Sequence, residues 1–364
     1  MRIRGVERRT LQVGPDGWSV EILDQTRLPF EVVVHELRSL ADAAEAIARM
    51  RVRGAPLIGV TAAYGLCLQL REDASDAALA SACKDLLSTR PTAVNLAAAL
   101  DAMRAAVLDL APRERAAAAY AAAARLADAD VATNRALGLH GLRLLEAAAE
   151  GAEPGAPVNV LTHCNAGALA TVDLGTALAP VYLAHDRGLA IHVWVSETRP
   201  RNQGAGLTAF ELGEHGVPHT VIADNAAGHL IQRGRVDLCL VGTDRTTAAG
   251  DVCNKIGTYL KALAAHDNGV PFYAAVPSPS IDWSIADGVE VPIEERDGGE
   301  VRRVTGRTAD GGVAEVELVP AGTAVANPAF DVTPRRLVTG LITERGTCAA
   351  TREGLAALFP ERAP

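Results

Sequence analysis

The stretch VNVLTHCNAGALAT (158–171) opens the part of the chain whose reading decides the fold. VNVLTH is a short, β-prone run, set off upstream by the Gly/Pro cluster GAEPGAP (151–157) and followed by small residues. Four further runs repeat its texture: AIHVWVSE (190–197), HTVIAD (219–224), VDLCLVGTD (236–244) and PFYAAVP (271–277). Helical segments are predicted between them, at 168–186, 206–215, 226–233 and 254–267. Strands that are apolar on both faces and alternate with helices imply a parallel sheet covered by helices, so the fold class is α/β with a Rossmann-like C-terminal domain. HCNAGALAT after the first strand is not a G-x-G-x-x-G motif, and no dinucleotide cofactor is expected. Residues 286–324, which include DGGEVRRVTGRTADGG (297–312), read as an inserted loop or hairpin whose role the sequence does not show.

Upstream of 151 the texture differs. From Leu40 to about Leu145 long Ala/Leu stretches carry apolar residues three and four apart, interrupted at Pro56, Pro91 and Pro112. Residues 18–34 read as two short strands joined by a turn. The expected organisation is a smaller, mainly helical N-terminal domain with a small antiparallel β element (1–150) and a Rossmann-like catalytic domain (151–364). Aromatic residues make up only 4% of the chain, so the helical part must rely on small side chains between closely approaching helices.

Composition excludes several function classes. With 49% hydrophobic and 22% charged residues the chain is neither disordered nor of low complexity. A formal charge of −9 without a basic block gives no footprint for nucleic acid or an anionic membrane, so a small anionic ligand needs a local basic pocket. The N-terminus has no apolar signal-like core and no stretch reaches membrane-spanning length, which makes the cytoplasm the expected location. Six cysteines, Cys67, Cys83, Cys164, Cys239, Cys253 and Cys348, form no C-x-x-C pair, so neither a zinc site nor a disulfide framework is expected.

In open parallel sheets ligands bind at the carboxyl ends of the strands. Those ends carry Thr162-His163-Cys164-Asn165, Glu197-Thr198-Arg199, Asp224-Asn225 and Gly242-Thr243-Asp244-Arg245. Cys164 reads as a thiol at the mouth of a site, its pKa lowered by a following helix N-terminus or a cation, or else as a small buried residue. Asp244 reads as a general acid or base kept protonated by burial, or else as a helix cap. His163 adjoins Cys164, but neighbours on a strand point to opposite faces, so it reads as a supporting residue rather than a catalytic partner. For an anion, Arg51-Val52-Arg53-Gly54-Ala55-Pro56 offers arginines, a glycine that admits close approach, and a proline suited to the first turn of a helix. Asn254-Lys255 is expected to open the helix after the fourth strand as a second donor pair.

At these residues the chain resembles the family that contains the methylthioribose-1-phosphate isomerases, the ribose-1,5-bisphosphate isomerases and the regulatory subunits of initiation factor 2B. The matching blocks are VRGAPLIGVTAAYGL (52–66), TRPTAVNL (89–96), LTHCNAGALAT (161–171), VSETRPRNQGAGLTAFEL (195–212), ADNAAGHL (223–230), a long specific block at 241–282, and ANPAFDVTPRRLVTGLITERG (326–346). The resemblance implies a substrate cradle of Arg53, Gly54, Ala55, Arg90, Gln203, Asn254 and Lys255, with Cys164 and Asp244 as the catalytic pair. Leu57 departs from the family pattern, where Ala is commoner, and bears on helix packing or pocket width.

The activity so implied is aldose-to-ketose isomerisation of 5-methylthioribose 1-phosphate to 5-methylthioribulose 1-phosphate in methionine salvage, without metal or cofactor, by a homodimer. Two rivals stand beside it. A related pentose 1-phosphate, such as 5-deoxyribose 1-phosphate or ribose 1,5-bisphosphate, would use the same residues; a regulatory subunit would keep the fold without the catalysis. Retention of both Cys164 and Asp244 argues against the second.

Overall fold

The computed structural model describes every residue except 91, 92, 152, 154, 363 and 364, so the expected helix interruption at Pro91 lies outside the described residues. The C-terminal part is built on a seven-stranded sheet ordered Gly346–Cys348, Gly340–Thr343, Phe272–Ala275, Leu238–Val241, Val158–His163, Ile191–Ser196, His219–Ile222. All neighbours are parallel except the Gly346–Cys348 edge. Strand alternation divides the core in two. Val158, Val160, Val193, Val195, Leu238, Leu240 and Ala275 pack beneath the helices Pro112–Glu150, Ala179–Asp186 and Ala209–His215. Leu161, Cys239, Val241, Phe272, Ala274 and Leu341 pack beneath Ala226–Gln232, Thr258–Asp267 and Arg352–Leu358. The two-sided apolar strands of the sequence are thus explained by helices on both faces.

The order of the six parallel strands reverses between the first, Val158–His163, and the fourth, Leu238–Val241, which are direct neighbours. Loops leaving these two strands diverge and open a crevice at their carboxyl ends. Cys164 directly follows the first strand and Asp244 follows the fourth by three residues.

The N-terminal part consists of the helices Leu40–Ala48, Ala55–Glu72, Asp76–Thr89, Val94–Val107 and the first half of Pro112–Glu150, beside a three-stranded antiparallel sheet. That sheet pairs Leu11–Val13, Val20–Leu23 and Val34–Leu37, one strand more than the sequence suggests. Ser39 caps the first helix in a reciprocal capping box with Asp42, and Pro56 and Pro112 lie in the first turns of their helices. Ala55–Glu72 is buried almost all round, and a Cβ on its Gly65 would lie 2.8 Å from the Ala43 methyl. Small side chains therefore do set the helix spacing. Leu57 is fully buried in this core, so the departure at that position acts on helix packing. The 39-residue Pro112–Glu150 helix places Ala119, Ala123 and Ala127 in the N-terminal core and Leu137, Leu142 and Leu145 against the sheet.

Three expectations need correction. No helix runs through 168–186: a single 3₁₀ turn at Ala168–Ala170 and an irregular loop precede the Ala179–Asp186 helix, because Gly167 and Gly175 pair as a bridge and turn the chain. Asn254 and Lys255 do not open a helix; they end the strand Val252–Lys255, and the helix begins at Thr258. The last two strands of the main sheet, Gly340–Thr343 and Gly346–Cys348, were not foreseen. Val252–Lys255 belongs to a second sheet ordered Ile281–Asp282, Arg245–Thr247, Val252–Lys255, Phe330–Thr333. Residues 286–324 contain the hairpin Arg303–Arg307 and Val313–Glu317. Among the described residues no helix is long and apolar enough to cross a membrane.

Candidate active site

A cleft enclosing about 750 Å³, part of it continuous with open solvent, lies at the switch point. Its lining contains Arg53, Gly54, Ala55, Arg90, Cys164, Gln203, Asp244, Asn254 and Lys255, so the whole implied cradle and catalytic pair meets at one place, whereas Arg51 pairs instead with Asp24 at 2.6 Å. The helical part supplies the first four, the main sheet's loops the next three, and the second sheet the Asn-Lys pair.

Arg53 and Gly54 lead into the Ala55–Glu72 helix. Gly54 has φ 95°, and a Cβ there would lie 2.3 Å from the Ala170 carbonyl oxygen, so only glycine lets the loop approach. Arg53 donates through Nη2 to the Asn165 carbonyl at 2.7 Å, while its Nη1 is buried without a partner. Arg90 Nε, Asn165 Oδ1 and Gln203 Oε1 are likewise buried and have no partner among the described residues. Buried polar atoms in such a state are costly, and four of them around one cavity mark a place for a polar ligand. Lys255 donates to the Ala329 carbonyl at 2.8 Å and sits 4.4 Å over the Phe330 ring. Burial lowers its pKa, against the pull of Cys164 and Asp244. Asn254 donates to Thr258 Oγ1 at 3.0 Å.

Cys164 has φ 63°, a backbone state costly for a side chain other than glycine's and one met at functional sites. Thr198, in the loop after the Ile191–Ser196 strand, and Thr208, in the helical segment Gly204–Thr208, hold it there: its N–H donates to Thr198 Oγ1 at 2.8 Å, and its carbonyl accepts from Thr208 Oγ1 at 2.7 Å. The expectation of a lowered pKa is wrong. Burial raises the thiol above its usual value, and although Arg53 and Lys255 oppose this, they do not overcome it. The helix that was to help is absent at that point. Asp244 is also raised by burial, against Lys255, Arg53 and Arg90, with Glu294 adding to the rise. Its N–H donates to the Cys253 carbonyl at 3.0 Å, so a strand of the second sheet, not a helix cap, fixes it. The site therefore holds a neutral thiol and a carboxyl biased toward its acid form.

His163 borders the same cavity but is engaged elsewhere. Its Nε2 lies 2.8 Å from the Ile256 carbonyl, which places the proton on that nitrogen, and its Nδ1 is 3.3 Å from Thr198 Oγ1. Burial keeps the ring neutral.

Sequence reasoning missed Glu211, Arg201 and Arg296. Arg201 and Arg296 line the cavity. Glu211 lies behind it, 3% exposed, accepting hydrogen bonds from Asn165 Nδ2 and the Leu169 N–H. A Cβ on Gly167 would fall 2.0 Å from its carboxylate, so glycine is required for this approach. Burial pushes Glu211 from 4.5 up to about 7. An acid raised on folding makes stability fall as pH rises from its unfolded to its folded value, here from about 4.5 to about 7. Across that window Glu211→Gln is expected to gain on the order of 3 kcal/mol relative to the parent, checked by urea unfolding at pH 4.5 and 7.5.

These features define a class: α/β proteins that bind a small polar ligand at the switch point of a parallel sheet, with an added helical part closing one side. Comparison with known proteins places the chain within it. The model of the initiation factor 2 subunit family matches residues 51–350. A methylthioribose-1-phosphate isomerase of Methylorubrum populi is 66% identical, covering 100% of this chain and 99% of its own. Among solved structures, 5-methylthioribose 1-phosphate isomerase from Pyrococcus horikoshii superposes with a TM-score of 0.83 at 38% identity, covering 98% of this chain and 96% of its own. The delta subunit of translation initiation factor eIF-2B from A. fulgidus gives 0.80 at 38%, covering 97% and 100%. The chain belongs to the initiation factor 2 subunit family, in the group of its methylthioribose-1-phosphate isomerases.

Proposed function

We infer that this chain isomerises 5-methylthioribose 1-phosphate to 5-methylthioribulose 1-phosphate in methionine salvage, with Asp244 and Cys164 as its catalytic residues. The observation that carries this reading is the presence, in one cavity, of a raised carboxyl, a neutral thiol and four buried polar atoms without a partner among the described residues. Arg53, Arg90 and Lys255, with Gly54, Ala55, Gln203 and Asn254, hold the phosphate and sugar.

A sugar 1-phosphate does not open its ring unaided, because the anomeric oxygen carries phosphate. Asp244, biased by burial toward its acid form, protonates the ring oxygen and releases it from C1. Hydrogen then moves from C2 to C1, C2 becomes the ketone, and the hydroxyl proton leaving O2 returns to the carboxylate. The raised thiol favours migration as hydride, since a neutral thiol is a poor base for the C2 hydrogen. Cys164 then serves as the hydrogen-bond partner of O2 while its charge changes.

Incubation with 5-methylthioribose 1-phosphate, 5-deoxyribose 1-phosphate and ribose 1,5-bisphosphate, followed by NMR, tests the assignment. Ketose from the first at the highest kcat/KM is expected. Preference for another pentose would reassign the substrate, and no turnover of any would overturn the enzyme reading.

The proposed setting is the cytoplasm, supported by six free thiols, which suit a reducing compartment. The proposed assembly is the homodimer that the family resemblance implies, checked by light scattering on the eluting protein.

A further inference from the structure

The segment near residues 292–302, between the Ile281–Asp282 and Phe330–Thr333 strands of the second sheet, takes no part in the chemistry above, yet it reaches the cavity. It carries a chain of charges of alternating sign. Glu294 Oε2 lies 3.4 Å from Arg90 Nη2, and Glu294 Oε1 accepts from Arg296 Nη1 at 3.1 Å. Arg296 donates to both oxygens of Glu300 at 2.8 to 3.2 Å, and Glu300 Oε1 accepts from Arg201 Nη1 at 2.9 Å. The order is Arg90, Glu294, Arg296, Glu300, Arg201. Both ends line the cavity, although they come from distant parts of the chain.

The middle is firmly held. Asn327 Nδ2 donates to Glu300 Oε2 at 3.1 Å and to the Asp297 carbonyl at 2.9 Å. Burial alone would raise Glu300, but Arg296 and Arg201 hold it down at about 2, so it stays ionised through the neutral range. Arg296 has its donors engaged by Glu294, Glu300 and Met50 Sδ, the last at 3.7 Å, which makes it a keystone of the chain rather than a group free for a ligand.

We propose that Glu294 is a positioning residue for phosphate recognition: it holds the Arg90 guanidinium at Nη2 and leaves Nε, buried and without a partner among the described residues, for the substrate. The proposal rests on the reading of the cavity as a sugar 1-phosphate site. Its physical basis is the fork geometry of arginine. A guanidinium held at one nitrogen by a carboxylate presents its remaining donors in a preferred direction, and that ordering is done before the anion arrives. The contact, at 3.4 Å, is long for a hydrogen bond, so it orients Arg90 without consuming its charge. Glu294 is itself neutralised by Arg296, which limits its repulsion of an incoming phosphate.

Steady-state kinetics on 5-methylthioribose 1-phosphate test this with the parent and the variants E294Q, E294D and E295Q. Glu295 lies in the same segment and accepts from the Asn327 N–H, so E295Q loosens the segment without touching Arg90. E294Q is expected to raise KM about tenfold with kcat within about twofold, and to weaken inhibition by inorganic phosphate in proportion. E294D should recover most of that loss, and E295Q should leave both constants within about twofold. A parental or lowered KM in E294Q, or an equal rise in E295Q, would overturn the proposal. Absence of turnover in the parent would instead overturn the reading on which it rests.

Discussion

Replacing Asp244 by Asn is expected to cut kcat by about a thousandfold while leaving the fold intact, the size of effect seen when a general acid is removed. The substitution is nearly isosteric. Because burial already biases Asp244 toward its uncharged acid, Asn imposes no new electrostatic demand on the cavity walls. Thermal unfolding should show D244N at least as stable as the parent in the alkaline range, where the parent must bury a carboxylate. The pH dependence gives a second readout with a definite sign. The acid form is the active one, so parental activity falls as pH rises through the raised Asp244 value, and this limb is absent from the variant's residual activity. A phosphate dianion in the same cavity raises that value further, so the limb in kcat lies at higher pH than the limb in kcat/KM. Turnover by D244N near the parental rate would remove Asp244 from the mechanism.

Much of this site was legible because it rests on short-range signals joined by one topological rule. Cys164 and Asp244 each follow an apolar run, and the convergence of strand ends in a parallel sheet brings such residues together whatever the loop details. The Arg53-Gly54-Ala55-Pro56 helix entry was equally local, since glycine's freedom and proline's fixed φ act at the residues that bear them. What the sequence did not show depends on pairing between distant segments. Val252–Lys255 is a strand because Phe330–Thr333 lies beside it, and nothing near Asn254 announces that partner. Glu294 and Arg296 sit in a polar stretch that reads as a loop, and their meaning comes from Arg90, Met50 and Arg201, which the fold alone brings close. Glu211 was hidden inside an otherwise helical pattern; the signal that could have found it was an acid on the apolar face of a short helix. The thiol was misjudged for the same reason: its pKa depends on how fully the cavity walls exclude water, and composition carries no measure of that.

That error bears on the chemistry. Replacing Cys164 by Ala is expected to lower kcat by about a hundredfold or more, with the unfolding transition little changed, because the loop is held by Thr198 and Thr208 through backbone atoms that the substitution keeps. Activity alone does not say what the thiol does, but the fate of the C2 hydrogen does. A thiolate base would pass that hydrogen through an exchangeable S–H and admit solvent hydrogen at C1. A hydride shift carries it directly from C2 to C1. Arg53 and Lys255, the cations able to stabilise a thiolate, do not offset its burial, and a bound phosphate dianion draws on those same cations. The thiol is then still harder to ionise during turnover than before it. For the reaction run in deuterium oxide, NMR of the ketose is therefore expected to show no deuterium at C1, whereas incorporation approaching one atom per turnover would assign Cys164 the role of base and an enolate as the intermediate.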